Sequence, residues 1–184
     1  MSPTPTSRCW PTSDPLYVAY HDEEWGRPVR DERGLYERLC LEGFQSGLSW
    51  LTILRKRENF RAAFAGFDPD AVARFGERDV ERLLGDAGIV RHRGKIEAAI
   101  ANARGVLALR EAGTPLPEVM WEHVDAADAK ELSKRLKSAG FRFVGPTTAY
   151  AAMQACGIVN DHVPECWVRE AVERERRRPP TNAA

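Results

Sequence analysis

Apolar residues recur at helical spacing along most of the chain. Leu35, Leu39 and Cys40 mark one helical face, and Leu48, Leu51, Ile53 and Leu54 open another that runs to Phe64. Asp31 predicts the start of the first long helix, which ends near Glu42; the second runs from about Leu48 to Phe64. Between them, Leu41-Glu42-Gly43-Phe44-Gln45-Ser46-Gly47-Leu48-Ser49-Trp50 holds two glycines. Each glycine weakens a helix by about 1 kcal/mol relative to alanine, so the stretch predicts a break. Asp14-Pro15 opens a turn or short helix carrying Leu16, Tyr17 and Tyr20. Asp68-Pro69 predicts a short helix over 70–75, and Asp79 caps another over 80–87, closed by Gly88. Further helices follow over 95–111, around Trp121, over 128–139, over 147–156 and after Pro164. Strand-type alternation never lasts more than a few residues. The pattern predicts an all-α fold of about eight to ten helices.

The length of 184 residues suits one domain, with flexible ends expected over 1–8 and from about 170 to 184. No apolar run approaches a membrane span and the first residues lack a signal peptide's apolar region, so a cytoplasmic monomer is expected. The 27 basic residues balance 27 acidic ones, which argues against a strongly basic nucleic-acid binder. Cations nonetheless cluster: Arg55-Lys56-Arg57 with Arg61, Arg91-His92-Arg93 with Lys95, and Lys130, Lys134, Arg135, Lys137 and Arg142. Each cluster alone reads as a solvated helix face. Gathered on one side, several would form a phosphate-binding surface.

Three features carry candidate chemistry. Glu42 is a lone carboxylate among apolar, aromatic and glycine neighbours, and two readings stay open, a helix cap or a working group. Gly140-Phe141-Arg142-Phe143-Val144-Gly145, between two predicted helices, would expose backbone N–H groups at a helix N-terminus, as phosphate binding requires; an ordinary αα-hairpin has the same pattern. Gly88 to Lys95 is a similar turn edged with cations. Finally, Cys9 and His21 lie near the start and His162 and Cys166 near the end. The last two are four apart and would share a helical face. Two cysteines and two histidines fill a tetrahedral zinc site, but this spacing is no zinc-finger pattern. By spacing alone, two buried cysteines and two surface histidines are the favoured reading.

Longer motifs change this picture. Cys9-Trp10, Asp14-Pro15-Leu16-Tyr17, Ala19-Tyr20-His21-Asp22-Glu23-Glu24-Trp25-Gly26, Leu41-Glu42-Gly43 with Gly47-Leu48-Ser49-Trp50, and Lys56-Arg57-Glu58-Asn59 stand in the first part of the chain. Asp86-Ala87-Gly88-Ile89, Arg91-His92-Arg93-Gly94-Lys95-Ile96, Phe143-Val144-Gly145, Met153-Gln154-Ala155-Cys156-Gly157 and Asn160-Asp161-His162 follow. Together they closely resemble the bacterial 3-methyladenine DNA glycosylase I family, from Arg8 to about Cys166. The resemblance implies an all-α helix-hairpin-helix glycosylase with a structural zinc joining its terminal segments. It implies Cys9, His21, His162 and Cys166 as zinc ligands, overturning the bland reading of those residues. By the same resemblance Glu42 and Tyr20 contact the excised base, Trp50 stacks on it, and Trp10 and Trp25 complete the pocket. Gly47 and Leu48 match the element that fills the gap left by a flipped nucleotide. Gly145, Arg93 and Lys95 are then expected to contact DNA. The sequence departs from the family in lacking a glycine between Cys9 and Trp10, and in placing Phe44 where a polar residue is common.

The implied partner is double-stranded DNA containing 3-methyladenine. A base within a duplex is out of reach, so the nucleotide must be extruded. Glycoside hydrolysis ordinarily uses two carboxylates, one of them an acid for the leaving group. A purine methylated at N3 is already cationic and leaves readily, so one acceptor and one electron-rich ring suffice. Many helix-hairpin-helix glycosylases carry a catalytic aspartate near the position of Asp161, but this one adjoins His162 and reads as structural. No motif lysine offers a Schiff-base nucleophile, which makes the expected enzyme monofunctional. Two rivals compete: a histidine–aspartate metal-dependent phosphohydrolase, built on His21-Asp22 and Asp161-His162, and a non-catalytic DNA-lesion binder. The first needs an open carboxylate metal site, whereas Cys9 and Cys166 favour closed thiolate zinc.

Overall fold

Short polar side chains fix the helix starts. In the computed structural model, which describes residues 7–122 and 127–178, aspartates cap four helices by accepting from first-turn N–H groups. Asp14 caps α1 (Pro15–Ala19), Asp31 caps α2 (Glu32–Gln45), Asp68 caps α4 (Pro69–Val72) and Asp128 caps α8 (Ala129–Ser138). Ser49 and His92 do the same for α3 (Trp50–Ala63) and α6 (Arg93–Glu111). The others are α5 (Glu77–Leu84), α7 (Leu116–Trp121), α9 (Pro146–Ala155) and α10 (Arg169–Arg176). Among the described residues there is no strand.

The chain departs from the expected boundaries at three places. Helix α2 continues one turn beyond Glu42, through Gly43 to Gln45. Gly43 serves close packing rather than a break: a Cβ there would sit 3.4 Å from the Cβ of Phe143, so the glycine lets the 140–145 hairpin press against α2. The break comes at Ser46 to Ser49. Helix α5 starts at Glu77, earlier than expected, because Asp79 accepts from the Gly76 N–H instead of capping its own successor. The charged C-terminal stretch, expected to be flexible, is helical and packed as far as α10 extends. Val172 is buried, and Arg176 donates to the carbonyls of Gly157 and Ile158. At the other end, Ser7 and Arg8 of the stretch expected to be flexible are held by Trp167 and Asp22. The rest of that expectation falls at 1–6 and 179–184, outside the described residues.

Helix α2 lies in the middle, packed by α3, α6, α7 and α9. Phe44, Phe60, Phe64 and Phe67 stack through the core beside it. The hairpin between α8 and α9 is held from below by Asn102, which donates to the Arg142 carbonyl (3.2 Å) and accepts from its N–H (2.7 Å). The N-terminal segment is seated on the end of α9: Val29 N–H donates to the Cys156 carbonyl at 3.0 Å. Gly157 follows in a left-handed conformation (φ 74°), and a Cβ there would lie 2.5 Å from the carbonyl oxygen of Gly26. Gly157→Ala combines a strained φ with a backbone clash and is expected to destabilise the fold by about 2 kcal/mol or more. Gly145→Ala, at φ −59° with open space around it, is expected to leave the melting temperature nearly unchanged. Thermal unfolding of the two variants against wild type checks the contrast.

Candidate active site

After α1 the chain widens into a π-helical turn, Tyr20–Glu24, closed by the Trp25 N–H on the Tyr20 carbonyl at 2.8 Å. Such single-turn widenings recur at functional sites because they redirect side chains within a helix. Here Tyr20 and His21 are both buried, yet serve two neighbouring sites. Tyr20 lines a cavity of about 180 Å³ together with Trp10, Tyr17, Trp25, Glu42, Gln45, Trp50, Ala151 and Gln154. The rings form a cage: Trp10 lies 5.2 Å from Tyr17 and 5.0 Å from Trp25, and Tyr20 lies 5.4 Å from Trp50. A space of this size and lining suits one planar heterocycle.

Three polar groups of this cage have no hydrogen-bond partner among the described residues. The indole N–H groups of Trp10 and Trp50 are buried without an acceptor. Glu42 is 7% exposed, and among the described residues its carboxylate accepts no hydrogen bond. Burial pushes its pKa up to about 7, with the charge of Arg38 pulling the other way. Lying inside α2, Glu42 caps nothing; of the two open readings, the cap is excluded. Among the described residues Glu42 is the single carboxylate lining the cavity.

Behind the cage, Cys9, His21, His162 and Cys166 converge, with one ligand atom of each within 4.8 Å of all the others. His162 Nδ1 lies 3.2 Å from Cys9 Sγ and 3.3 Å from Cys166 Sγ, and His21 Nε2 lies 3.6 Å from Cys166 Sγ. His162 and Cys166 meet through a turn, not the expected helix: Cys166 N–H donates to the Val163 carbonyl, and α10 begins only at Arg169. The distal ring nitrogens are also engaged, His21 Nδ1 with Asp22 (2.7 Å) and His162 Nε2 with the Trp25 carbonyl (3.0 Å). This is the outer shell that orients metal-binding imidazoles, so the four residues could hold a metal ion. Burial opposes ionisation of Asp22, but hydrogen bonds from Arg8, His21 and Trp167 outweigh it and hold the acid at about 2. Asp161 accepts from Tyr150 (2.6 Å) and Gln154 (2.8 Å). Neither aspartate is thus a metal ligand, which removes the basis of the phosphohydrolase reading.

The residues expected to meet DNA divide. Leu48 and Gly47 are exposed on the loop between α2 and α3, Leu48 at 40%. Gly145 is the N-cap of α9 and has open space around its Cα. Lys95, by contrast, is buried, and its ammonium donates to the carbonyls of Phe44 (2.9 Å) and Ser46 (2.6 Å), anchoring the loop that carries Leu48. Arg93 is exposed but paired with Glu77, Glu81 and Glu97. Instead Lys130, Lys134 and Lys137 line one groove with Ser133, Ser138 and Pro146, beside the hairpin and the start of α9. Sequence reasoning missed Tyr17, Gln45, Gln154 and Arg38. Tyr17 and Gln45 stand three residues from Tyr20 and Glu42 and were within reach of helical spacing; Gln154 comes from a distant helix.

The sign of the Glu42 effect on stability follows from its direction. Its folded pKa lies above the ordinary 4.5, so its contribution is full at acid pH and is lost as pH rises through about 7. The gap corresponds to about 3 kcal/mol. Glu42→Gln is therefore expected to melt about 5–10 °C above wild type at alkaline pH, with the difference vanishing near the ordinary glutamate pKa. Thermal melts across pH measure this.

The methyladenine glycosylase family model matches residues 10–170. DNA-3-methyladenine glycosylase 1 of Escherichia coli (strain K12) is 52% identical over 179 residues, covering 86% of this chain and 95% of that protein. A crystal structure of 3-methyladenine DNA glycosylase I superposes with a TM-score of 0.84 at 49% identity, covering 88% of this chain and 98% of that one. A variant of 3-methyladenine DNA glycosylase I, crystallised in complex with 3-methyladenine, superposes with a TM-score of 0.82 at 36% identity, over 86% of this chain and 94% of the other. With the aromatic cage, its buried carboxylate and the cysteine–histidine cluster in place, the chain belongs to the methyladenine glycosylase family.

Proposed function

We propose that this chain is a monofunctional DNA glycosylase that flips 3-methyladenine out of duplex DNA and hydrolyses its N-glycosidic bond. The observation that carries this reading is Glu42, a buried carboxylate without a hydrogen-bond donor of its own, in an aromatic cage sized for one base. A methylated, cationic purine supplies what the cage lacks, a positive charge and donor groups for the carboxylate and a π-face for Trp50. Neutral adenine offers less to both. Tyr20 and Trp10 would close the sides, with Trp25 behind them. Because the cation is a good leaving group, a second acidic residue is unnecessary, in keeping with a cavity lined by a single carboxylate.

Leu48, exposed beside the cavity mouth, suits the gap a flipped nucleotide leaves, with Gly47 shaping the loop (φ 80°). The N-terminus of α9 at Gly145 and the lysines of α8 are suited to duplex phosphates. For the metal we propose zinc: two thiolates and two imidazoles make a closed, structural set. When bound it would supply no reaction chemistry, but would tie residues 9–21 to residues 162–166. Among the described residues no helix is long and apolar enough to cross a membrane, and a cytoplasmic monomer remains our reading.

Release of free 3-methyladenine from methylated duplex DNA tests the activity. Wild type is expected to release it, and an inactive, folded, metal-loaded protein would overturn the reading. Glu42→Gln removes a charged hydrogen bond, about 1.5–3 kcal/mol, so affinity for free 3-methyladenine is expected to fall about ten- to a hundredfold. Excision should slow without vanishing, and unchanged affinity in calorimetric titration would retire the recognition role. Metal analysis is expected to give one zinc per chain, lost together with melting temperature in Cys166→Ser.

A further inference from the structure

Arg38 sits one helical turn before Glu42 on α2, and its surroundings leave its charge only partly matched. The side chain is 10% exposed, and Nη2 donates to Glu24 Oε2 at 2.8 Å. Glu24 is already taken by the fork of Arg57, which donates to both of its oxygens at 2.6 and 2.8 Å. Arg38 Nη1 is buried with no hydrogen-bond partner among the described residues. The guanidinium lies 5.7 Å from the centre of the Tyr20 ring, directly behind the cage. Two buried or half-buried cations on one anion leave a positive charge over, and burying net charge is costly. The cluster of Arg38, Arg57, Glu24 and Glu42 is neutral only when Glu42 is a carboxylate.

We propose that Arg38 is a positioning residue for recognition: it keeps Glu42 negatively charged in a pocket that would otherwise protonate it. The inference rests on the reading that Glu42 receives the cationic base. The other titratable groups set against Glu42 are Tyr17 and Tyr20 from the N-terminal segment and Cys156 from the end of α9. Burial keeps all three neutral, so none supplies positive charge. Glu24 in the π-helical turn is anionic: burial opposes this, but the hydrogen bonds of Arg57 and Arg38 hold it at about 2. Arg38 is thus the cation that acts on Glu42. Because Glu24 partly offsets it, Arg38 favours the carboxylate without presenting a full charge against the incoming base. The arrangement divides the work: Glu42 meets the ligand, Arg38 sets its charge, and Glu24 with Arg57 fixes Arg38.

The test is the pH profile of single-turnover excision from methylated duplex DNA, whose N3-methylated purine is a fixed cation across the range. Wild type is expected to lose activity on the acid side of about pH 7, where Glu42 protonates. Arg38→Met keeps the stem that packs on the core and removes the charge. Its acid limb should move up by about one pH unit, lowering neutral-pH excision about five- to tenfold and recovering to within about twofold at alkaline pH. Arg38→Lys, which restores a charge, should return the limb toward wild type. An unmoved limb in Arg38→Met overturns the proposal, and so does an equal loss at every pH, which would make Arg38 a packing residue. Glu42→Gln, run alongside, separates the two layers. If it excises like wild type the recognition reading itself falls, whereas an impaired Glu42→Gln with an unmoved Arg38→Met limb defeats only this inference.

Discussion

An ionisable side chain buried without a hydrogen bond is the constraint around which this protein is built. Glu42 lies in the interior of the central helix, largely shielded from solvent, and none of the described residues donates to it. Left alone, such a carboxyl stays protonated and is of little use to a cationic ligand. The surrounding fold answers in two ways. An arginine one turn away supplies charge at a distance, and aromatic faces supply a surface that attracts cations without competing for the carboxylate. On the function proposed above, the result is a site poised for its ligand and less stable empty than a neutral version would be. That is the usual relation between a recognition group and its fold.

The cage also depends on the cysteine–histidine cluster behind it. Trp10 packs its edge on His21 at 4.7 Å, and Trp25 packs on His162 at 4.6 Å. The Trp25 carbonyl meanwhile accepts from, or orients, the distal nitrogen of His162. Gly26, next in the chain, has a left-handed φ, and a Cβ there would lie 2.9 Å from the same imidazole nitrogen. Two walls of the aromatic cavity are therefore seated on two of the four cluster residues. The N-terminal segment has little core of its own: α1 buries no residue. It is positioned by what its ends hold, the cluster on one side and the Gly157 junction on the other.

Much of this was legible in the sequence. The all-α class and most helix starts came from capping residues, proline positions and spacing, all of which act locally, whereas the site residues came from the resemblance that the long motifs carry. The cap-or-function ambiguity at Glu42 arose because Gly43 and Gly47 were given the same meaning. Gly47 does end the helix region with a positive φ, but Gly43 stays helical because a hairpin almost a hundred residues later presses against it. Such contacts are invisible to periodicity. The same limit explains Lys95 and Arg93, whose charges suggested phosphate and whose partners turned out to be carbonyls and carboxylates from other elements. Arg38 was missed for a related reason: as one charged residue in an amphipathic stretch it looks like surface, and its burial beside Glu24 and Tyr20 depends on elements outside α2.

Charge placement then accounts for how a chain of zero net charge can suit a polyanion. Most of the cationic clusters are consumed within the fold: Arg55 pairs with Asp14, Arg57 with Glu24, Arg61 with Glu37, and Arg110 with Glu32 and Asp70. Lys130 and Lys137, with Arg142 on the hairpin, take part in no ion pair among the described residues, and Lys134 has only a distant one to Glu131 (3.7 Å). These lie beside the start of α9, where exposed backbone N–H groups add the positive end of a helix dipole. Net charge describes long-range attraction, but phosphates are held by uncompensated local charge within a screening length of about 8–10 Å. A neutral chain that pairs many of its cations internally can still leave a local group of uncompensated lysines on one face. That face adjoins Ala151 and Gln154 of α9, which also line the aromatic cavity, so the helix whose N-terminus we propose meets the DNA backbone also forms a wall of that cavity.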